Sequence, residues 1–397
     1  MVPRMRRGTG NLKPPMTEKT DVSRMRRGAE DVKPPIKKEE KQMKKLRVAI
    51  IGQGRSGRDI HGAFFRSEHN DKYEVVAVVD ELDFRRERAK QEFGCDVYAD
   101  HRELYGRSDI DLVVNSTYSH LHYPVTMDLL THGFNVVVEK PFSAHKEECE
   151  AMIRAAKEHD RMLCVFQQSH FAPYYRRIRE ILADGRLGRP VQVSIHFNGF
   201  ARRWDWQCSQ RFYGGSLRNT GPHPLEQALD ILDMDTLPQV VSRLDRVNTF
   251  GDAEDYVKIL MLAPGKPVID LEISSCDAYN GGVLYNVQCE HGCLKATMNH
   301  ISYQYYVPAD EPARALTLES LRGEDGTPRY CSEQLTWHKE EEDLSGTSFD
   351  AAVRAYYDNI YAHLTEGAPL VIRPEKIAQQ IELIEEVHRQ NPMPIRF

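Results

Sequence analysis

Apolar residues first become periodic at Leu46. From there Leu-Arg-Val-Ala-Ile-Ile forms a β-branched run bounded by glycines, the pattern of a strand buried on both faces of a parallel sheet. A helix is expected from about Ser56. Residues 73–79 repeat the buried-strand pattern, and a charged stretch over 83–93 has helical character. Residues 111–115 and 135–138 are further apolar runs, separated by helical spacing over 123–131, and 162–166 closes the series. Strand and helix thus alternate from 46 to 167, which predicts a doubly wound parallel sheet with right-handed crossovers.

After Pro190 the texture changes. Residues 191–197, 257–262 and 268–275 read as strands separated by turn residues instead of helices, the signature of antiparallel sheet. Helical patterns occupy 224–232, 349–364 and 374–389. The expected fold class is α/β: an N-terminal Rossmann doubly wound parallel sheet over 46–167, followed by an α+β domain over 168–397 with a mainly antiparallel sheet.

Charge separates the first 45 residues from the rest. They hold 14 Lys or Arg against 6 Asp or Glu, a balance of +8, leaving 39 against 53, or −14, for the remainder. The segment Arg4-Met5-Arg6-Arg7-Gly8 to Pro14-Pro15 recurs twenty residues on as Arg24-Met25-Arg26-Arg27-Gly28 to Pro34-Pro35. Neither copy has an apolar face, so 1–45 is expected to be a disordered basic leader. The acidic body should repel polyanions, which argues against nucleic acid as a ligand. No run approaches the roughly 18 apolar residues of a membrane span. Eight scattered cysteines, without a secretory signal pattern before them, point to a reducing cytoplasm.

Gly52-Gln53-Gly54-Arg55-Ser56-Gly57 places G-x-G-x-x-G where the first strand should hand over to a helix. In that context Gly52 permits the tight turn, Gly54 lets backbone approach a pyrophosphate, and Gly57 lets helix and strand pack closely, with the helix N-terminus facing the anion. Asp80 ends the second strand 23 residues after Gly57, close to the spacing of a carboxylate that accepts hydrogen bonds from an adenosine ribose. That favours NAD. Arg85 and Arg86 would suit a 2′-phosphate, so NADP stays open, and a helix cap is the other reading of Asp80.

Glu139-Lys140-Pro141-Phe142 ends a buried strand, the sheet edge at which α/β proteins place ligands. A Gly-rich segment, Gly214-Gly215-Ser216-Leu217-Arg218-Asn219-Thr220-Gly221-Pro222-His223, leads into a later helix. Together with the glycine turn and Thr117 to His122, which stands where T-P-N-x-x-H would, these residues resemble the Gfo/Idh/MocA oxidoreductases, the relatives of glucose-fructose oxidoreductase and inositol dehydrogenase. The resemblance runs in order over about 46–390. It implies a second domain whose open sheet serves substrate binding and oligomerisation as a dimer or tetramer, and a cofactor held between the domains. It also implies that Lys140 and His223 are the catalytic pair, with Ser116, Thr117, His122, Glu139 and Lys140 itself on the cofactor side beside the glycine turn.

The chemistry agrees. Removing hydride from a carbinol carbon requires the hydroxyl proton to leave, which a histidine can accept, while a lysine ammonium stabilises the developing alkoxide. Where many relatives carry an aspartate, this chain has Asn219, a positioning group that cannot ionise. Tyr118, Ser119 and His170 are further departures, in place of proline, asparagine and a common arginine. Trp204, Trp206, Arg211 and Tyr213, with His170, are candidates for a sugar or cyclitol site, since indole faces stack on pyranose rings and guanidinium pairs with carboxylate or phosphate. Core packing with solvated arginines is the alternative. Cys289-Glu290-His291-Gly292-Cys293 lies between alternating strands and reads as a hairpin, so no metal site is expected. The function expected is NAD(P)-dependent dehydrogenation of a secondary hydroxyl. Cleavage through a transient keto-sugar and a non-enzymatic dinucleotide sensor are the alternatives.

Overall fold

The structure is a computed structural model and describes residues 44–279, 282–346 and 349–397. The leader expected at 1–45 therefore lies outside the described residues except for Lys44 and Lys45. The first sheet contains β1 (Leu46–Ile51), β2 (Tyr73–Val79), β3 (Asp96–Tyr98), β4 (Leu112–Asn115), β5 (Val136–Val138) and β6 (Leu163–Val165). All neighbours are parallel, in the order β3-β2-β1-β4-β5-β6. Val48, Ala49, Ile50, Val113, Val114 and Val137 are fully buried, because helices cover both faces of the sheet. A π-helical turn (Gly57–Gly62) leaves β1 and continues as α1 (Ala63–Arg66), and α2 (Asp83–Phe93), α3 (His122–Thr131) and α4 (Lys146–Glu158) supply the other crossovers. The order reverses between β1 and β4, which opens a crevice at the strands' C-terminal ends. Strand β3 was not expected; three edge residues including an exposed Asp96 are too short to show a period.

Helix α5 (Pro173–Ala183) joins the sheets and was also not foreseen, although Tyr174, Tyr175, Ile178 and Ile181 have helical spacing and Pro173 sits at its first turn. The second sheet comprises β7 (Pro190–Asn198), β8 (Gln239–Asp245), β9 (Tyr256–Leu262), β10 (Val268–Ser274), β11 (Tyr285–Cys289), β12 (Gly292–Ala296), β13 (His300–Tyr305) and β14 (His338–Asp343). Its order is β14-β13-β12-β11-β7-β10-β9-β8, with β7 and β10 parallel and the other pairs antiparallel. The sheet is open. Burial alternates along β9 and β10, so Ile259 and Leu271 face the covering helices while Lys258 and Glu272 face outward, and in the central β7 Val193, Ser194 and Ile195 are buried in succession. Cys289 and Cys293 flank a hairpin whose turn is Glu290-His291.

Helices α6 (Ser216–Asn219) and α7 (Pro222–Leu232) lie between β7 and β8, and α7 begins two residues before the expected Pro224 because Pro222 is favoured in a first turn. The last helices, α8 (Phe349–Glu366) and α9 (Pro374–Gln390), return to the first sheet. Tyr357 of α8 stacks on Phe64, with ring centroids 4.8 Å apart, and its carbonyl accepts a hydrogen bond from the Tyr73 hydroxyl at 2.6 Å. Among the described residues no helix is long and apolar enough to cross a membrane.

Candidate active site

The turn after β1 is built by contacts that only glycine allows. Gly52 has φ +88°, and a Cβ there would stand 2.6 Å from the Ser116 carbonyl. A Cβ on Gly57 would stand 1.8 Å from the Gly52 carbonyl oxygen, whereas at Gly54 nothing lies within 4 Å. Two glycines thus pack inward and the third leaves its face open. Gly57→Ala is expected to lower stability by about 1–3 kcal/mol, the usual cost of overpacking, and to weaken NADH binding, both read from melting curves with and without NADH.

Asp80 extends from the end of β2 toward this turn. Its Oδ2 accepts the Gln53 N–H at 2.7 Å and a bond from the Arg85 Nη1 at 3.3 Å, and its Oδ1 accepts the Leu82 N–H at 3.0 Å. The Arg86 guanidinium donates to the Asp80 carbonyl at 2.7 Å. Gln53 contributes through its backbone; its side chain is buried away from the crevice, against expectation.

At the end of β5, Glu139 is the hub of a buried network. It accepts the Ser56 hydroxyl and the Lys140 N–H at 3.0 Å, and it lies 3.1 Å from His61 Nε2. His61 Nδ1 is in turn 2.7 Å from the Tyr357 hydroxyl. Burial pushes the Glu139 carboxyl up, but the His61 hydrogen bond and charge, the Lys140 ammonium and Ser56 outweigh it and hold it down at about 2. The carboxylate stays charged.

Lys140 follows, joined to Pro141 by a cis peptide. Its Nζ donates to the Asn219 carbonyl at 2.8 Å and lies 3.5 Å from Asn219 Oδ1. Burial, aided by the positive charges of Arg55 and Arg203, lowers its pKa below the lysine range against the pull of Glu139. Asn219 Oδ1 also accepts from Gln207 Nε2 at 3.1 Å, which fixes the amide. His223, in the first turn of α7, has Nδ1 3.0 Å from the Ser169 hydroxyl. Burial and then the Lys140 charge push His223 down to about 3, so its ring is neutral at physiological pH. His122 is buried, with Nδ1 2.7 Å from the Pro141 carbonyl and Nε2 3.2 Å from the Thr117 carbonyl, which ties the loop after β4 to the residue that follows Lys140.

One cleft of about 980 Å³ joins these groups, running from Asp80 past Gly54, Arg55 and Ser56 to Lys140, Asn219 and His223. Ser116, Thr117, His122, Glu139, Trp206 and Tyr213 also line it. Several residues expected there do not. His170 is buried with Nδ1 2.7 Å from Glu226 Oε1 and Nε2 3.4 Å from Arg179, an ion-pair site of α7 and α5 outside the cleft. Trp204 is 81% exposed and Arg211 points to solvent, so neither lines it, and Gly57 is a packing residue behind it. Tyr118, Arg203, Gln207 and Arg218 line the cleft and were missed as site residues. Arg203 and Gln207 flank Trp204 and Trp206 in the sequence and Arg218 stands in the Gly-rich segment before His223, but nothing in either pattern showed that these side chains face the cleft.

Residues 46–167 match the oxidoreductase family with the NAD-binding Rossmann fold named GFO/IDH/MocA, and residues 175–295 match that family's C-terminal domain. The chain belongs to the Gfo/Idh/MocA family. Scyllo-inositol 2-dehydrogenase (NADP(+)) IolW of Bacillus subtilis is 24% identical, over 88% of this chain and 94% of its own. Inositol 2-dehydrogenase of Burkholderia lata is 22% identical, over 81% of this chain and 88% of its own. The crystal structure of an NAD-binding protein from Listeria innocua has the same fold, with a TM-score of 0.71 at 20% identity, over 88% of this chain and 97% of that one. As a Gfo/Idh/MocA oxidoreductase the protein is an NAD(P)-dependent dehydrogenase, and its nucleotide turn fits the cofactor: Gly54 leaves room for a phosphate and Asp80 presents a carboxylate at the edge of the same cleft.

Proposed function

We propose that this protein oxidises a secondary hydroxyl of a sugar, glycoside or cyclitol, with Lys140, Asn219 and His223 as its reacting wall. The observation that carries this reading is that Lys140 Nζ, the Asn219 amide and His223 converge in the cleft that also reaches Asp80. A bound nicotinamide supplies the hydride acceptor. As its carbon gives up hydride, the substrate hydroxyl passes its proton to the neutral His223 ring, whose Nδ1 is occupied by Ser169 and whose Nε2 has no hydrogen-bond partner among the described residues. The Lys140 ammonium faces the negative charge that grows on oxygen, and Asn219 holds both the ammonium and a substrate hydroxyl. Trp206 and Tyr213 offer apolar faces for the ring.

Residues 46–167 bind the dinucleotide, and 168–397 supply the substrate wall and, through the open outer face of the second sheet, the contact between copies of a homo-oligomer. All eight cysteines are unpaired, which favours the cytoplasm. NADH fluorescence measured across a panel of sugars and cyclitols tests the activity; no net NADH from any of them would overturn it.

Asp80 favours NAD, since its carboxylate would meet a 2′-phosphate with like charge. Asp80→Ser removes that charge and frees Arg85, so the ratio of kcat/KM for NAD over NADP should fall about 10- to 100-fold, the worth of one charged hydrogen bond. An unchanged ratio would assign the choice elsewhere.

A further inference from the structure

Arg218 is a guanidinium with no hydrogen-bonded or ion-paired partner among the described residues. It lies on the helical turn that carries Asn219, and it lines the cleft. Its Nε is buried and unsatisfied. Arg203, by contrast, is occupied by Asp205 and Gln207, and Arg55 is exposed beside the nucleotide turn. The Arg218 side chain is half-buried and its Nε forgoes a hydrogen bond that an anion in the cleft could supply.

The surroundings hold Arg218 in place. Its guanidinium lies 5.5 Å from the centroid of the Tyr213 ring. Tyr213 adopts φ +55°, a left-handed conformation that costs a non-glycine residue about 1–3 kcal/mol and that aims its ring here. The Gly214-Gly215 turn behind it is fixed by Glu254, whose backbone carbonyl accepts the Ser216 N–H at 2.9 Å and whose Oε1 accepts the Leu217 N–H at 3.0 Å. The charges acting on the Lys140 ammonium are those of Glu139, Arg55 and Arg203. Arg218 precedes Asn219 on the same turn, and the Asn219 carbonyl and amide oxygens hold the Lys140 ammonium, so one ligand in the cleft can meet both groups.

We propose that the substrate is an acidic sugar, a uronate, whose carboxylate is bound by Arg218 while a ring hydroxyl meets Lys140, Asn219 and His223. The inference rests on the dehydrogenase reading above and names its substrate class. A carboxylate is favoured over a phosphate because the Glu254 carboxylate, which accepts the N–H of the neighbouring Leu217 at 3.0 Å, already places one negative charge beside this turn. That setting suits a monoanion better than a group carrying close to two charges.

The test pairs glucuronate and galacturonate with glucose and galactose, and with glucose 6-phosphate, as substrates of the full chain with NAD. Uronates should exceed their neutral counterparts in kcat/KM by about 10- to 100-fold, as a charged hydrogen bond desolvated in a cleft requires. In Arg218→Gln that ratio should collapse toward one. Arg218→Lys, which keeps the charge but loses the fork, should fall between, and NADH affinity reports that each variant is folded. Neutral sugars preferred by the wild type, a preference for glucose 6-phosphate, or a ratio unmoved in Arg218→Gln would each overturn the proposal. Calorimetry of glucuronate binding to the NAD-loaded protein separates the two readings. Binding lost in Arg218→Gln, even with no turnover of any substrate, supports the carboxylate site while sinking the dehydrogenase assignment. No binding to the wild type sinks the site itself.

Discussion

Lys140→Ala should lower kcat by about two to three orders of magnitude while NADH affinity changes little. The expectation follows from where the ammonium sits. Its hydrogen-bond partners are the carbonyl and amide oxygens of Asn219, neither of which binds the dinucleotide, so its loss leaves the glycine turn and Asp80 intact. What is lost is a fixed charge aimed at the oxygen that becomes negative, a contribution of about 2.7–4 kcal/mol for one preorganised donor. A second consequence separates this role from simple packing. The Lys140 charge helps to hold His223 down, so in the alanine variant the His223 pKa should rise and the acid limb of the pH profile should move to higher pH. Steady-state rates and NADH titrations across pH measure both, and undiminished turnover would remove Lys140 from the mechanism.

His223→Asn should cost about 10²- to 10⁴-fold in kcat/KM, the range for one positioned proton acceptor. With His223 held at about 3, the wild-type enzyme keeps its base unprotonated at pH 6, where an ordinary histidine would already be largely charged. Its acid limb should therefore lie well below 6.5. On the alkaline side, activity should fall as Lys140 loses its proton, at a pH below that of an exposed lysine. The same histidine links pH to stability. Between 6.5 and about 3 the unfolded chain binds a proton that the folded protein excludes, so stability declines as pH falls through that window. Melting temperature against pH should flatten in His223→Asn, which a histidine with an ordinary pKa would not produce.

The parallel sheet was legible because its strands are nearly continuous apolar runs and its nucleotide turn depends on three glycines whose spacing is dictated by sterics. Lys140, Asn219 and His223, which the structure brings to one cleft, were singled out by the family resemblance, on short segments that hold glycine or proline beside a strand end or helix start. His170 misled because a histidine after a buried strand looks the same whether it faces a cleft or a carboxylate; Glu226, which claims it, is 56 residues away. Trp204 misled because aromatic character says nothing of direction, and the chain turns between it and Trp206. Arg218 was invisible for the opposite reason. An arginine among helical residues normally signals a solvated face, and only the arrangement of Tyr213, Glu254 and the Gly-Gly turn reveals that this one points inward.

The contact between Tyr357 and the first sheet has a consequence for how the chain is made. Tyr73 and Tyr357 are separated by 284 residues, yet the Tyr73 hydroxyl is satisfied by the Tyr357 carbonyl, and Phe64 and His61 are covered by the same ring. On a ribosome the nucleotide-binding half emerges first and waits, with an aromatic pocket and a buried carboxylate network open on one side, until α8 is released. The segment that reads as a self-contained dinucleotide domain is thus a docking partner for the end of its own chain, and expressed alone it would present that pocket to solvent and to other copies of itself.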